Sequence, residues 1–369
     1  MKVLHISYVK QIAGAERHLL YLLPGLRKAN VDVRMLILNA DNNPPSDFMT
    51  LLEDAGVPVE VFPVTQASPL SLTSLRNILR LRAYLRAGQY DIVHAHLYNG
   101  ELYGIPAARL AGISRVVSTR HSVDAFRHRW YWRWLARLNA RVISNSKAVD
   151  AYSRTVEHVP AERNVLIFYG MPPPDTRAPR MALRQELGLD EDTPLVGTVA
   201  RLTEAKGYPY ALEAFAQLRE RIPDAHYVIA GDGELGATLE AQAQQLGLTD
   251  VVHFLGWRSD TERVYAALDV FLLASLWEGL PMALLEVMGR GLPIVSTTAG
   301  PMPEVVVEGE TGYLVHPANA NALVEPLAIL LTNRSLARQM GEAGRKRLEQ
   351  VFSVETMIAQ TAALYHELM

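Results

Sequence analysis

Short runs of branched apolar residues alternate along the chain with longer stretches whose apolar positions recur at helical spacing. Strand-length runs fall at 2–7, 31–38, 57–61, 91–95, 116–119 and 141–144, each followed by a helical stretch. That alternation predicts an α/β fold, with parallel sheets covered by helices and ligand sites at the carboxyl ends of the strands. The series then breaks. A strand at 164–168 runs into Tyr169-Gly170 and the successive prolines Pro172, Pro173 and Pro174, which end any regular element. A second series follows at 195–200, 225–230, 251–255 and 270–274. The pattern predicts a first domain over 1–170, a linker over 171–193, a second domain over 194–350 and a closing helical segment over 351–369.

The second series is organised around Ser275-Leu276-Trp277-Glu278-Gly279-Leu280-Pro281-Met282-Ala283-Leu284-Leu285-Glu286, which joins the strand at 270–274 to a helix expected over 283–290. Pro281 suits the first helical turn, because its missing N–H would be unpaired there in any case. The open end of such a helix presents unpaired amides and partial positive charge, a natural seat for phosphate. Glu278 lies at the mouth, where it can accept hydrogen bonds from sugar hydroxyls, and Glu286, a turn further on, can reach a ribose. As plain structure, both would be solvated acids.

After the strand at 195–200 come Arg201 and Lys206-Gly207, opening another helix. A guanidinium grips phosphate oxygens in pairs and an ammonium acts as a mobile point charge, so the two can offset a diphosphate. Gly231-Asp232-Gly233-Glu234-Leu235-Gly236 satisfies G-x-G-x-x-G, yet the next strand ends in Gly256-Trp257 where a nicotinamide site needs an acid. Asp190-Glu191-Asp192 abuts Thr193-Pro194 and reads as a solvated turn rather than a metal-holding D-x-D.

In the first series, Gly14 follows the first strand, where a missing side chain lets a ligand approach the backbone. His94 and His96 share one face of the fourth strand, and His121 follows the fifth. Three histidines and a water could hold zinc, but no H-x-x-x-H spacing accompanies them, and a core imidazole is the expected state of His94. Residues 126–141 hold three of the five tryptophans and five arginines, Arg127, Arg129, Arg133, Arg137 and Arg141. Trp130, Trp134 and these arginines suit an anionic lipid interface as well as they suit a helix packed on the sheet with solvated cations. Arg76, Arg80, Arg82 and Arg86 add a second basic patch.

With 36 basic and 39 acidic residues the net charge is -3, so no overall cationic field points to nucleic acid. Zero cysteines excludes disulfides and thiol chemistry, and fits a reducing cytoplasm. No signal peptide and no apolar run of about 18 residues is seen, so the expected location is cytoplasmic, peripheral on the inner membrane face if the basic aromatic helix binds lipid.

Glu278 and Glu286 eight positions apart with Gly-Leu-Pro between them, the following Gly291-Leu292-Pro293-Ile294-Val295, and Ala200-Arg201-Leu202 with Lys206-Gly207 together resemble the retaining glycosyltransferase family four. The resemblance covers essentially the whole chain and is strongest from Arg201 to Val315. It implies two Rossmann-like domains facing across a cleft, the GT-B arrangement, with the last helix crossing back to the first domain. It implies sugar transfer with retention, without metal or cofactor, from a nucleoside diphosphate sugar to a glycan or lipid-linked acceptor. Glu278, His121, Arg201 and Lys206 would be catalytic. Gly14, Gly231, Gly233, Leu255, Gly279, Leu280, Pro281 and Glu286 would complete the donor site, with His96, Arg127, Arg129, Trp130, Arg133 and Trp134 on the acceptor or membrane side. Two positions depart from the family: Ala13 stands for a usual glycine, and Tyr169 for a usual asparagine. Two rival readings are an epimerase of the same architecture, which would isomerise donor without acceptor, and a noncatalytic sugar-nucleotide or lipid-binding module, which would tolerate loss of Glu278.

Overall fold

The computed structural model describes residues 1–10, 12–39, 46–123, 130–173 and 178–369. The chain divides into two compact units, Met1–Pro172 with Phe352–Met369, and Pro173–Val351.

The first unit opens β1 (Lys2–Tyr8), α1 (Gly14–Lys28), β2 (Asp32–Asn39), α2 (Ser46–Asp54), β3 (Val59–Pro63) and α3 (Leu72–Gly88). It continues β4 (Ile92–His96), α4 (Leu97–Leu110), β5 (Val116–Arg120), α5 (Trp130–Leu138), β6 (Arg141–Ser144), α6 (Lys147–Thr155) and β7 (Asn164–Leu166). All pairings are parallel, in the order β3-β2-β1-β4-β5-β6-β7. β1, β4 and β5 are buried on both faces along most of their length, and Val3-Leu4, Ile92-Val93 and Val116-Val117 near their amino ends are apolar on both. On one face Val3, Ile92, Val117 and Ile143 pack with Leu19, Leu22 and Leu26 of α1. Toward the carboxyl ends the same face turns polar, with His5 in β1, His94 in β4 and Thr119 in β5, all buried.

The second unit runs α7 (Met181–Glu186), β8 (Leu195–Val199), α8 (Tyr208–Arg219), β9 (His226–Ala230), α9 (Gly236–Gln245), β10 (Val252–Phe254) and α10 (Thr261–Ala267). It continues β11 (Val270–Leu273), α11 (Met282–Arg290), β12 (Ile294–Thr297), α12 (Met302–Val305), β13 (Gly312–Val315), α13 (Ala320–Thr332) and α14 (Arg334–Val351). Its sheet is parallel in the order β10-β9-β8-β11-β12-β13.

The last helix, α15 (Val354–Leu368), belongs to the first unit. Ser353 caps it by accepting from Thr356 N at 3.1 Å, and Met357, Leu364 and Tyr365 enter the core shared with α1. Gly170 makes room for this entry, since a Cβ there would lie 2.4 Å from the Ser353 carbonyl oxygen. Residues 178–193, expected as linker, are folded onto the second unit. Arg184 of α7 is fully buried, donates to the carbonyls of Ala267, Asp190, Glu191 and Thr193, and pairs with Asp269 at 2.9 Å. Short polar sequence looked like tether; the buried guanidinium makes it part of the fold. Asp192 pairs with Arg334 at the surface, consistent with a solvated turn. Among the described residues no helix is long and apolar enough to cross a membrane.

Candidate active site

In the second unit the strand order reverses between β8 and β11, so the loops leaving these two strands diverge and open a crevice at their carboxyl ends. Lys206 comes from the loop after β8 and Glu278 from the loop after β11. The two form an ion pair, with side chains only 16% and 9% exposed. Ser275 donates to the same Glu278 oxygen at 2.7 Å, and Leu276 N donates to the Ala205 carbonyl at 2.8 Å. The loop after β12 joins them: Thr297 Oγ1 donates to the Ser275 carbonyl at 2.6 Å. Lys206 and Glu278 are thus held by backbone on both sides before any ligand arrives.

Arg201, one loop position from Leu202, is exposed, and its guanidinium makes no hydrogen bond or ion pair with the described residues. Its loop is tied to the glycine turn after β9, because Leu202 N donates to Asp232 O at 2.9 Å. Gly231 sits at φ 152, where a Cβ would lie 1.9 Å from the Ala200 oxygen, and a Cβ at Gly233 would lie 2.4 Å from the Leu202 oxygen. Both glycines, expected in the donor site, let one loop pack closely on the next. Half-buried Leu255 follows β10, and its N–H donates to the Ile229 carbonyl at 2.9 Å.

Pro281 is the cap of α11, in extended geometry, rather than a residue of its first turn, so the helix begins one residue earlier than expected, at Met282. Gly279 is half-buried and Leu280 and Pro281 are buried in front of that turn. Glu286 is buried and accepts the hydroxyl proton of Tyr265 from α10. The ribose role expected of it would share the carboxylate with this phenol.

In the first unit, Gly14 is exposed at the start of α1, whose Ala13 N–H donates to the Glu16 carboxylate at 3.1 Å. His121 is 9% exposed, and both its ring nitrogens are engaged: Nδ1 with the Tyr169 hydroxyl, and Nε2 with His96 Nδ1 at 3.2 Å. The catalytic part expected of His121 would share both ring nitrogens with these partners. His96 is likewise buried, its Nε2 2.9 Å from His5 Nδ1. Nitrogens of His5, His94 and His96 lie within 4.8 Å of one another, close enough to suggest a metal. Each instead has a protein partner, since His94 meets Tyr365 at 2.5 Å and Thr119 at 2.7 Å. Burial pushes His5 and His18 down to about 3, and His94 and His96 fall well below the usual imidazole value for the same reason, so all four are neutral.

Of the expected membrane side, Trp130 and Trp134 are 67% and 46% exposed, whereas Trp132 is buried against Tyr98. Arg133 is half-buried and donates to the Val156 carbonyl at 3.0 Å, so it ties α5 to α6. Arg127 and Arg129 lie outside the described residues. Sequence reasoning missed Tyr169, Tyr365, His5, His18 and Ser275. His5 was legible in principle, through its shared register with His94; Tyr169 drew attention only as a departure from the family.

Buried charge anchors β5 from its other face. Arg120 pairs with Glu101 of α4 and Glu157, both at 2.8 Å, and donates to Ser118 Oγ at 2.9 Å.

Two parallel Rossmann-like units with an ion pair poised at a switch point define a GT-B type of protein. Residues 12–173 match the model of "Glycosyltransferase Family 4", and residues 179–347 that of "Glycosyl transferases group 1". The chain is 26% identical to the Escherichia coli UDP-Gal:alpha-D-GlcNAc-diphosphoundecaprenol alpha-1,3-galactosyltransferase, over 100% of this chain and 97% of that one. It is 32% identical to the Mycolicibacterium smegmatis GDP-mannose-dependent alpha-(1-6)-phosphatidylinositol monomannoside mannosyltransferase, over 65% of this chain and 67% of that one. Anabaena HepE, solved with UDP and glucose, superposes with a TM-score of 0.82 at 25% identity over 100% of both chains. The chain belongs to the group 1 glycosyl transferases of family four, and is a glycosyltransferase with the GT-B fold.

Proposed function

We propose that the protein transfers a sugar, with retention and without metal, from a nucleoside diphosphate sugar bound by the second unit to a lipid-linked or glycan acceptor in envelope or glycolipid synthesis. The observation that carries this reading is the Lys206–Glu278 pair beside the opening of α11, with Arg201 exposed on the adjoining loop. Departure of the diphosphate concentrates negative charge, and Arg201, Lys206 and the first-turn amides of α11 supply preorganised positive charge at that place. Those groups do what a cation would otherwise do. Glu278, compensated by Lys206, suits a hydrogen-bond acceptor for sugar hydroxyls better than an attacking nucleophile. That favours a front-face displacement, in which the leaving phosphate takes the acceptor proton. One full-length relative is named for UDP-galactose and another is solved with UDP, which favours a UDP-sugar over a GDP-sugar.

Support for a lipid-linked acceptor lies in the first unit. Leu72, Leu75 and Leu79 are exposed along one face of α3, beside exposed Arg76 and Arg80. An apolar groove of about 430 Å³ lies between the start of α3 and α5, lined by Pro69, Leu70, Tyr98, Trp130 and Tyr131. Apolar side chains rimmed by guanidinium groups match a lipid surface of negative charge.

The direct test is a thermal-shift panel of UDP-, GDP- and ADP-sugars, followed by transfer with the stabilising donor and NMR of the product's anomeric carbon. A ligand bound only by the folded state raises the melting temperature by mass action. No shift with any nucleotide sugar would remove the donor site, an inverted product would remove the front-face route, and loss of transfer in EDTA would remove the metal-free assignment.

A further inference from the structure

Seven side chains of the first unit form one continuous hydrogen-bonded series under α1 and α15. From the Tyr169 hydroxyl it passes to His121 Nδ1, from His121 Nε2 to His96 Nδ1 at 3.2 Å, and from His96 Nε2 to His5 Nδ1 at 2.9 Å. From His5 Nε2 it continues to the Tyr365 hydroxyl at 3.2 Å, then to His94 Nδ1 at 2.5 Å, and ends with His94 Nε2 at 2.7 Å from Thr119 Oγ1. Five elements contribute: β1, β4, β5 with its following residue, the segment after β7, and α15.

A neutral imidazole has one donor and one acceptor nitrogen, so choosing the tautomer of one ring fixes every other ring in such a series. One end supplies the choice. Asn145 Nδ2 donates to the His121 carbonyl at 3.1 Å, and a carbonyl can only accept, so the amide cannot turn over. Burial raises the Tyr169 pKa and Asn145 lowers it in turn, as an amide N–H facing the phenol oxygen does, which leaves the Tyr169 proton for His121 Nδ1. His121 then carries its proton on Nε2, and so in turn do His96, His5 and His94, with Tyr365 accepting from His5 and donating to His94.

We propose that this series acts as a single directional clamp that fixes the His121 ring and the carboxyl end of β5, which makes His96, His5, His94 and Tyr365 positioning residues for sugar transfer. The clamp lies wholly within the first unit; its consequence for turnover rests on the transferase reading above. His18 stacks on Tyr169 with ring centroids 4.3 Å apart and holds the phenol in line. An alternative occupant, a metal on His5, His94 and His96, would consume lone pairs that the series uses.

The test is 15N–1H NMR of histidine-labelled protein, which reads the tautomer of each ring directly, beside steady-state kinetics. In the parent, His5, His94, His96 and His121 should all be neutral with the proton on Nε2. H5F cuts the series beyond the end that supplies the choice, so it should mix the tautomer at His94, two links away, and leave His96 and His121 as in the parent, while lowering kcat roughly tenfold to a hundredfold with the donor KM little changed. H5Q, with one donor and one acceptor, should restore both readouts. Y365F deletes one hydroxyl, keeps the ring and should mix the tautomer at His94; it serves if H5F does not fold. Proton on Nδ1 in the parent, unmixed rings in both H5F and Y365F, or stoichiometric metal in the purified protein would each overturn the clamp. Unmixed tautomers with normal transfer refute the clamp alone; the predicted tautomers without transfer from any donor refute the transferase reading alone.

Discussion

Replacing either member of the Lys206–Glu278 pair separates structure from chemistry, because the two respond differently when both are removed. The side chains are 16% and 9% exposed, so K206M leaves a carboxylate, and E278Q an ammonium, with little water to replace its partner. Removing one partner of such a pair costs about 2–4 kcal/mol, most of it the burden of the remaining charge. For a unit of this size that is a fall in melting temperature of roughly 5–15 °C. The ion pair, invisible in the sequence, is what makes that fall the expectation. K206M/E278Q removes both charges, and the amide oxygen introduced by E278Q can still accept from Ser275, so most of the lost stability should return. Activity should not return. If the pair binds leaving diphosphate and sugar, all three variants should lose about 10²–10⁴-fold in kcat/KM, equivalent to roughly 3–5 kcal/mol of transition-state stabilisation. The assays are calorimetry and transfer kinetics on the four proteins of the cycle. Recovery of transfer along with stability in the double variant would show that the pair is only structural.

Three further outcomes follow from the geometry. Arg201→Ala should raise the donor KM about tenfold or more and leave the melting temperature unchanged, since the exposed guanidinium makes no hydrogen bond or ion pair with the described residues; a stability loss in calorimetry would contradict this. Acid should unfold the first unit steeply: His5 and His18 are pushed down to about 3 by burial, so below pH 6.5 the unfolded chain binds protons that the folded one refuses. Stability is therefore complete above pH 6.5 and falls toward pH 3, by roughly 1 kcal/mol per pH unit for each such histidine, with His94 and His96 adding in the same direction; a flat melting temperature from pH 7 to 5 would refute it. Trp130→Ala with Trp134→Ala should weaken sedimentation with anionic vesicles several-fold at unchanged stability, and equal binding of parent and variant would remove that surface.

Much of the fold was legible because buried parallel strands leave a strong mark. β6 begins and ends where its apolar run does, and β1, β8 and β11 lie within a residue of theirs. The second unit's loops were legible for a different reason: strand-to-helix loops collect glycine, proline and charge, and Arg201 with Lys206 stood in one such loop and Glu278 in another. What sequence could not give was partnership. Glu278 and Lys206 are 72 residues apart, and only the switch point between β8 and β11 makes them a pair. Tyr365 is 271 residues from His94, and α15 must dock beside α1 before its hydroxyl has a role. The glycines of the turn after β9 were legible as a motif but not in purpose, since the carbonyls they accommodate belong to the loop after β8. Arg184 was lost in what looked like tether, because nothing local announces that a guanidinium will be fully enclosed.

The two carboxyl edges differ in how their polar groups are satisfied, and the difference assigns them different work. In the first unit the ring nitrogens of His5, His94, His96 and His121 already have partners within the protein, so these side chains are set to shape and hold. In the second unit the ammonium of Lys206 has two donors beyond its bond to Glu278 Oε1, and Arg201 brings a whole guanidinium fork. A diphosphate needs donors that are already oriented and not yet spent. Only the β8–β11 edge offers them among these residues. An engineered donor preference should therefore respond to changes in the loops after β8, β9 and β11, while substitutions within the histidine series should change turnover with every donor alike.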